Sequence, residues 1–167
     1  NSDRRFDDDG LIGRSGNVNK LILNQAIENF KLTSYNNSLD IKDFNISFAR
    51  GLSLEDGLST LTDFTAYLIA EGIKFASKRN KKTSNRYLIC GGGRKNNFLI
   101  EIINNYLDSF KNITLNSIDI YNHDGDFIES QAFGYLAIRS YLDLPITFPS
   151  TTGCKKPTKG GVLVKNF

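Results

Sequence analysis

The chain has 167 residues, of which 40% are hydrophobic and 23% charged. That length and apolar share suit one globular domain and exclude both a disulfide-stapled miniprotein and a disordered tail. A net charge of +3, from 21 basic and 18 acidic residues, is too small to mark a general polyanion binder. The chain opens Asn1-Ser2-Asp3 and contains no Met, so we expect a piece of a longer product. Residues 1 to 16 carry an acidic run, Asp7 to Asp9, and glycines at 10, 13 and 16 without periodicity, which predicts a loop. From Val18 to Lys31 the apolar residues Leu21, Ile22, Ala26, Ile27 and Phe30 recur at helical steps and predict a helix with one apolar face. The Asn-rich stretch from Thr33 to Phe48 reads as a long connecting loop.

Ser53-Leu54-Glu55-Asp56 pairs a capping hydroxyl with a carboxylate three residues on, the signature of a capping box. It predicts a helix of about 23 residues, ~35 Å long at 1.5 Å per residue. Its expected buried stripe is Leu58, Leu61, Thr65, Leu68, Ile69, Gly72, Ile73 and Ala76. Between Lys74 and Lys95 stand eight basic residues and no acid, Lys74, Lys78, Arg79, Lys81, Lys82, Arg86, Arg94 and Lys95. The cluster lacks interleaved aromatics and sits where a helix end favours cations, so a solvated helix end is the first reading and a polyanion surface the second.

Tyr87 to Cys90 predicts a short strand, Gly91-Gly92-Gly93 a turn, and the helical spacing of Phe98, Leu99, Ile102, Ile103, Tyr106, Leu107 and Phe110 a helix. A second such unit follows. Ile113 to Tyr121 is β-rich, residues 122 to 126 turn, and Phe127 to Leu142 predicts a helix apolar almost all round, of the kind that lies sandwiched between layers. Leu144-Pro145 stops it, and a Gly- and Lys-rich tail ends in a strand-like Val162-Leu163-Val164. The order of elements gives an α/β fold with no internal domain boundary.

In an open α/β sheet ligands bind at the carboxyl ends of the strands, and the glycine turn after Cys90 is such an end. Glycines let backbone approach a ligand closely, and the amides of Arg94 to Asn96 would point there with the positive end of the helix dipole. The run matches no phosphate-loop pattern, so ligand approach and plain turn geometry both remain open. Glu129 falls on the face shared by Ala132, Phe133 and Leu136, where a carboxylate needs a partner, either a structural charge or a polar ligand. Asp126 reads first as the cap of the helix that follows. His123 reads as a loop residue, and Cys90 and Cys154 as reduced thiols, since no metal or catalytic spacing surrounds them. No apolar run is long enough to cross a bilayer, and a cytoplasmic protein is expected.

Four segments, taken together, resemble anhydro-N-acetylmuramic acid kinases, over nearly the whole chain. They are Phe48-Ala49-Arg50-Gly51-Leu52 through Leu61 to Ala66, Cys90 to Asn96, Asp124-Gly125-Asp126-Phe127-Ile128-Glu129-Ser130-Gln131-Ala132-Phe133, and Leu144-Pro145 through Phe148 to Gly153. The stretch running from the Asp-Gly-Asp turn to Gln-Ala-Phe is the most specific of them. The resemblance implies most of the second domain of an acetate and sugar kinase, actin-like fold, spanning residues 1–167 and short of its early sheet strands, with the N-terminal domain absent. It implies a kinase that uses ATP and Mg2+ to open the anhydro ring and phosphorylate O6, as a homodimer that takes an amino sugar and no nucleic acid or membrane. Gly91, Gly92, Gly93 and Asn96 would line the adenosine side of the cleft, while Glu129 would face the sugar beside Asp126. The catalytic base and first phosphate loop would lie upstream of Asn1, so the 167 residues alone are expected to be inactive. The competing class is a non-catalytic remnant that uses the basic segment 74 to 95 on a polyanion; the gene sequence 5′ of Asn1 separates the two.

Overall fold

The computed structural model describes residues 6–30, 43–79, 84–162 and 164. The first departure from expectation is at the start. Residues predicted as loop form a 3-10 turn, Asp8–Gly10, and a short helix α1, Leu11–Ser15. The reason is Asp7, whose carboxylate accepts hydrogen bonds from the amides of Ile12 (2.8 Å) and Gly13 (2.9 Å) and so caps the helix from three residues before its N-cap. Gly10 adopts φ +73°, and a Cβ there would stand 2.2 Å from Asn96 Oδ1. Gly16 lies against the start of the next long helix, where a Cβ would meet the Glu55 backbone at 2.2 Å. These glycines permit close passage of the chain.

Helix α2, Lys20–Asn29, is N-capped by Asn19, whose side chain accepts from the Ile22 amide. Its buried stripe is Leu23 and Ala26 with Ile27 and Phe30 beside them, and Leu21, expected inside, is 78% exposed. Most of the expected 33–48 loop lies outside the described residues; Ser47–Ala49 forms a 3-10 turn.

Helix α3, Leu54–Arg79, runs 26 residues and touches α1, α2 and α4. Only half of the capping box forms. Ser53 Oγ accepts from the Asp56 amide at 3.1 Å, but the Asp56 carboxylate turns away to accept from the Asn17 amide at 2.7 Å. The predicted stripe of α3 is also corrected: Thr65 and Ala76 are exposed, and the helix buries Gly57, Ser59, Thr60, Asp63, Phe64, Ala66, Ala70 and Ser77. Small residues let α1 and α4 come close, and Thr60, Asp63 and Ser77 are partnered. Thr60 Oγ1 donates to Asp56 O and accepts from the Asn19 amide. Asp63 accepts from the Tyr106 hydroxyl and from Lys20, and the Ser77 and Tyr87 hydroxyls bond at 2.9 Å. Burial and the bond to the Asp63 carboxylate hold the Tyr106 phenol above its ordinary ionisation range.

Strand β1, Asn85–Ile89, helix α4, Asn97–Leu107, and strand β2, Ile113–Ser117, form a parallel βαβ unit. The strands pair in register from Asn85 opposite Ile113 to Ile89 opposite Ser117. One core joins Ala66 and Ala70 of α3 to Ile103 and Leu107 of α4; another joins Leu23 and Ala26 to Phe64. The expected strand 113–121 ends early, because Ile118–Tyr121 winds into a 3-10 turn.

Helix α5, Ile128–Tyr141, buries no residue, against the expectation of a helix sandwiched between layers. Phe133, Tyr135, Ile138 and Tyr141 are 59–72% exposed, because nothing among the described residues covers this face. After it, a four-residue helix α6, Pro149–Thr152, and a single antiparallel bridge between Thr147 and Thr158 fold the tail back. Ser140 Oγ and Arg139 Nε fasten it by donating to the carbonyls of Gly160 and Pro145. Val162 and Val164 form no strand and are exposed; residue 163 lies outside the described residues. The architecture among the described residues is mixed α/β, mostly helical, around a two-stranded parallel sheet. No helix of the described residues is long and apolar enough to cross a membrane.

Candidate functional site

Parallel strands of equal register end side by side, so the turns that follow β1 and β2 are brought together at one end of the sheet. The first is the glycine turn. Gly91 adopts φ +78°, a conformation that L residues resist, and its amide donates to Gly125 O of the second turn at 2.9 Å. Gly92 and Gly93 have no such requirement. A Cβ on Gly92 would meet nothing within 4 Å, and one on Gly93 only Leu99 at an ordinary 3.9 Å.

The amides of Arg94 to Asn96 do not open the α-helix as expected. Gly92–Lys95 is a 3-10 turn, and α4 begins at Asn97 behind it. Asn96 is the N-cap, its side-chain oxygen accepting from the Leu99 amide at 2.9 Å, while Asp9 accepts from the Asn97 amide at 3.1 Å. The start of α4 is thus capped from within the chain.

Arg94, read from sequence as one of a basic run, is the centre of the second turn. Its Nε and Nη2 donate to the two oxygens of Asp119 at 2.7 and 3.2 Å, a bidentate pair. Its Nη1 donates to Asp126 Oδ1 at 2.5 Å and to Gly91 O at 3.0 Å. Asp124 lies 3.6 Å from Nη2. Lys95 also donates to Asp126. The Arg94 side chain is only 7% exposed, whereas its carboxylate partners are 40–56% exposed, so the guanidinium is set into the loop like a peg. Gly125, buried, makes room for it, since a Cβ there would lie 2.4 Å from Arg94 Nε. The bond from Arg94, with further bonds from Ser117 and the Gly125 amide, holds the Asp119 carboxyl well below the usual carboxylate range. The bonds from Arg94 and then Lys95 lower Asp126 in the same direction.

The capping role read for Asp126 is therefore corrected: the N-cap of α5 is Phe127, without a side-chain bond, and Asp126 pairs with the two cations. Glu129 is in the first turn of α5 as expected, but the face it shares with Ala132 and Phe133 is exposed. It makes no hydrogen bond or ion pair with a described residue. His123 is exposed in the loop, and both cysteines are free. Among the described residues no group of three or more His, Cys, Asp or Glu is placed to hold a metal ion. Sequence reasoning missed Arg94 and Asp119. The available signal was an arginine directly after the glycine turn, facing a second turn with three aspartates around one glycine.

Among the described residues of the basic segment, five cations are engaged by neighbours at separate places. Lys74 pairs with Glu71 at 2.9 Å and stands over Phe110, Arg79 stacks on Phe75, and Arg86 donates to the Tyr121 hydroxyl. Arg94 and Lys95 are held by aspartates, while Lys81 and Lys82 lie outside the described residues. This dispersal weighs against a polyanion-binding remnant.

Comparison with known proteins covers nearly the whole chain. The family model described as anhydro-N-acetylmuramic acid kinase matches residues 1–166. A protein of that name from Pelagibacter ubique is 53% identical over 167 residues, covering 98% of this chain and 44% of its own length. Those from Rhizobium rhizogenes and Brucella canis are each 36% identical, over 161 and 162 residues, covering 96% of this chain and 41% and 42% of their own. The chain spans less than half the length of the curated relatives it matches. With residues 1–166 matched by the family model, the chain belongs to the anhydro-N-acetylmuramic acid kinase family.

Proposed function

We propose that this chain is the C-terminal portion of an ATP-dependent kinase that opens the 1,6-anhydro ring of anhydro-N-acetylmuramic acid and phosphorylates O6. The product is N-acetylmuramic acid 6-phosphate, as in cell-wall recycling. In this reading residues 1–167 are most of the second domain of a sugar-kinase, actin-like fold, and the exposed α5 is a helix whose sheet lies in the remainder.

The observation that carries the reading is the glycine turn. Gly91 needs glycine for its φ, but nothing in the fold demands it at Gly92 or Gly93, where added side chains would enter open space or ordinary contact. Bare backbone at the carboxyl end of a parallel strand suits a nucleotide that passes close to the main chain. ATP bound there supplies the phosphoryl group. Gly91, Gly92 and Gly93 line its adenosine side, and Asn96 fixes the helix start directly behind them. Asp126 holds the neighbouring loop through Arg94 and Lys95, and Glu129 on the next helical turn accepts hydrogen bonds from the sugar. Water, giving its proton to a base outside residues 1–167, adds at the anomeric carbon as the bond from that carbon to O6 breaks, and O6 takes the terminal phosphoryl group with ADP as the leaving group. Mg2+, a homodimer and a cytoplasmic setting complete the proposal on the strength of the family alone.

The test is Gly92→Val in the complete enzyme. The fold should survive, because a Cβ there meets nothing within 4 Å, while ATP affinity falls at least about ten-fold through obstruction of the backbone approach. Unchanged ATP affinity in a folded Gly92→Val enzyme overturns the assignment.

A further inference from the structure

Arg94 bonds to both turns at once, and the inference drawn from it rests on the reading just given, in which one turn meets the nucleotide and the other leads to the sugar-facing Glu129. The donors of its planar fork are divided between Gly91 O on the first turn and Asp119, Asp124 and Asp126 on the second. The backbone repeats the link, with the Gly91 amide donating to Gly125 O. Asp126 then lies three residues before Glu129, at the entry to α5. A shift of the Gly91 carbonyl therefore pulls on the guanidinium, and the guanidinium is fixed at two points to Asp119 and at one to Asp126. Almost fully buried among partly exposed carboxylates, it has no room to follow one turn and leave the other. Gly125 keeps that fit tight, since any side chain there would displace Arg94.

We propose that Arg94 is a positioning residue that couples the two ligands: seating of nucleotide on the glycine turn sets the loop that places Glu129 for the sugar. Nothing in this role requires Arg94 to touch either ligand. Lysine cannot replace it, because a single ammonium lacks the planar fork needed to hold Asp119 bidentately while reaching Gly91 O and Asp126.

The experiment is isothermal calorimetry on the complete enzyme. The affinity for anhydro-N-acetylmuramic acid is measured with and without a saturating non-hydrolysable ATP analogue, in wild type, Arg94→Lys and Asp119→Asn. Wild type should show coupling on the order of ten-fold, equal in both directions because binding linkage is reciprocal. In Arg94→Lys and Asp119→Asn the ratio should fall towards one, while each ligand alone binds within about three-fold of wild type. A plain structural anchor would lower the melting temperature and leave the ratio intact in the folded protein; that result overturns the inference, as does an uncoupled wild type. Should Arg94→Lys fail to fold, Asp119→Asn decides, since it cuts the bidentate pair at a half-exposed carboxylate and leaves the buried arginine its other partners. A wild type that binds both ligands without coupling sinks only this inference, whereas one that binds neither sinks the proposed function and this inference together.

Discussion

Glu129 is exposed in the first turn of α5, and its carboxylate has no partner among the described residues. A solvated carboxylate in a first turn suits either a helix-start charge favoured by the dipole or a contact to a polar ligand, and the two readings predict different outcomes for a variant. Glu129→Gln in the complete enzyme keeps the shape and removes the charge. If the carboxylate accepts charge-assisted bonds from sugar hydroxyls, kcat/KM should fall about ten- to a hundred-fold, equivalent to ~1.5–3 kcal/mol. ATP affinity and melting temperature should hardly move. Steady-state kinetics beside a thermal melt check this; a lowered melting temperature with near-normal turnover would return Glu129 to a structural role. At the same scale, Asp126 shows why local spacing misleads. An aspartate just before a helix ordinarily caps it, but a cationic pair from a turn thirty-odd positions away outcompetes the local amides, and no local pattern announces that.

Helix α3 depends on a buried polar knot as much as on its apolar contacts. Asp63 ties three helices, taking the Tyr106 hydroxyl from α4 and Lys20 from α2. The raised ionisation of Tyr106 gives this knot a pH signature. The folded state holds the phenolic proton more tightly than the unfolded chain does. The stability it contributes is therefore complete below the unfolded phenol's pKa of about 10 and is lost as pH rises beyond it. Urea unfolding should show wild type losing stability above about pH 10 more steeply than Tyr106→Phe. Near pH 8 the variant should be weaker by only about 1 kcal/mol, because the phenol is half-buried and Lys20 still partners Asp63. Parallel alkaline slopes would show that the bond is not made in solution. The same knot explains what hydrophobic periodicity could not show. The helical spacing of α4 and the strand before the glycine turn were legible because apolar residues decide them. The buried face of α3 was not, since it is lined by Ser59, Thr60 and Asp63, and bonds from Asn19 to Thr60 and from Lys20 and Tyr106 to Asp63 make the burial of the latter two tolerable.

At the scale of the whole molecule, the two halves of the chain are finished to different degrees. Helices α1 to α4 enclose two cores, whereas α5 and the tail add none, and Phe133, Ile138, Tyr141 and Leu142 stand in solvent. An apolar helix without cover is a sign of interaction surface or of missing layers. Residues 1–167 on their own should therefore bind a hydrophobic dye such as anilinonaphthalene sulfonate and associate as concentration rises. Ile138→Ser with Tyr141→Ser should reduce both effects without changing the far-ultraviolet circular dichroism. Absence of dye binding by the unmutated chain would mean that α5 finds cover within these residues. The apolar pattern of α5 announced the helix itself; its expected burial between layers is not met among the described residues.

The bond from the Asn97 amide to Asp9 joins residues 88 positions apart and satisfies the first amide of α4. A helix whose opening turn is closed by so distant a segment cannot finish by local winding. The Asn97 amide must wait for the segment that carries Asp9 to dock, which makes that closure an entropically late event in folding. Hydrogen exchange at Asn97 consequently reports docking of the amino-terminal segment, while exchange in the middle of the same helix reports winding alone. Within a single helix, the first amide and those at its centre keep separate clocks.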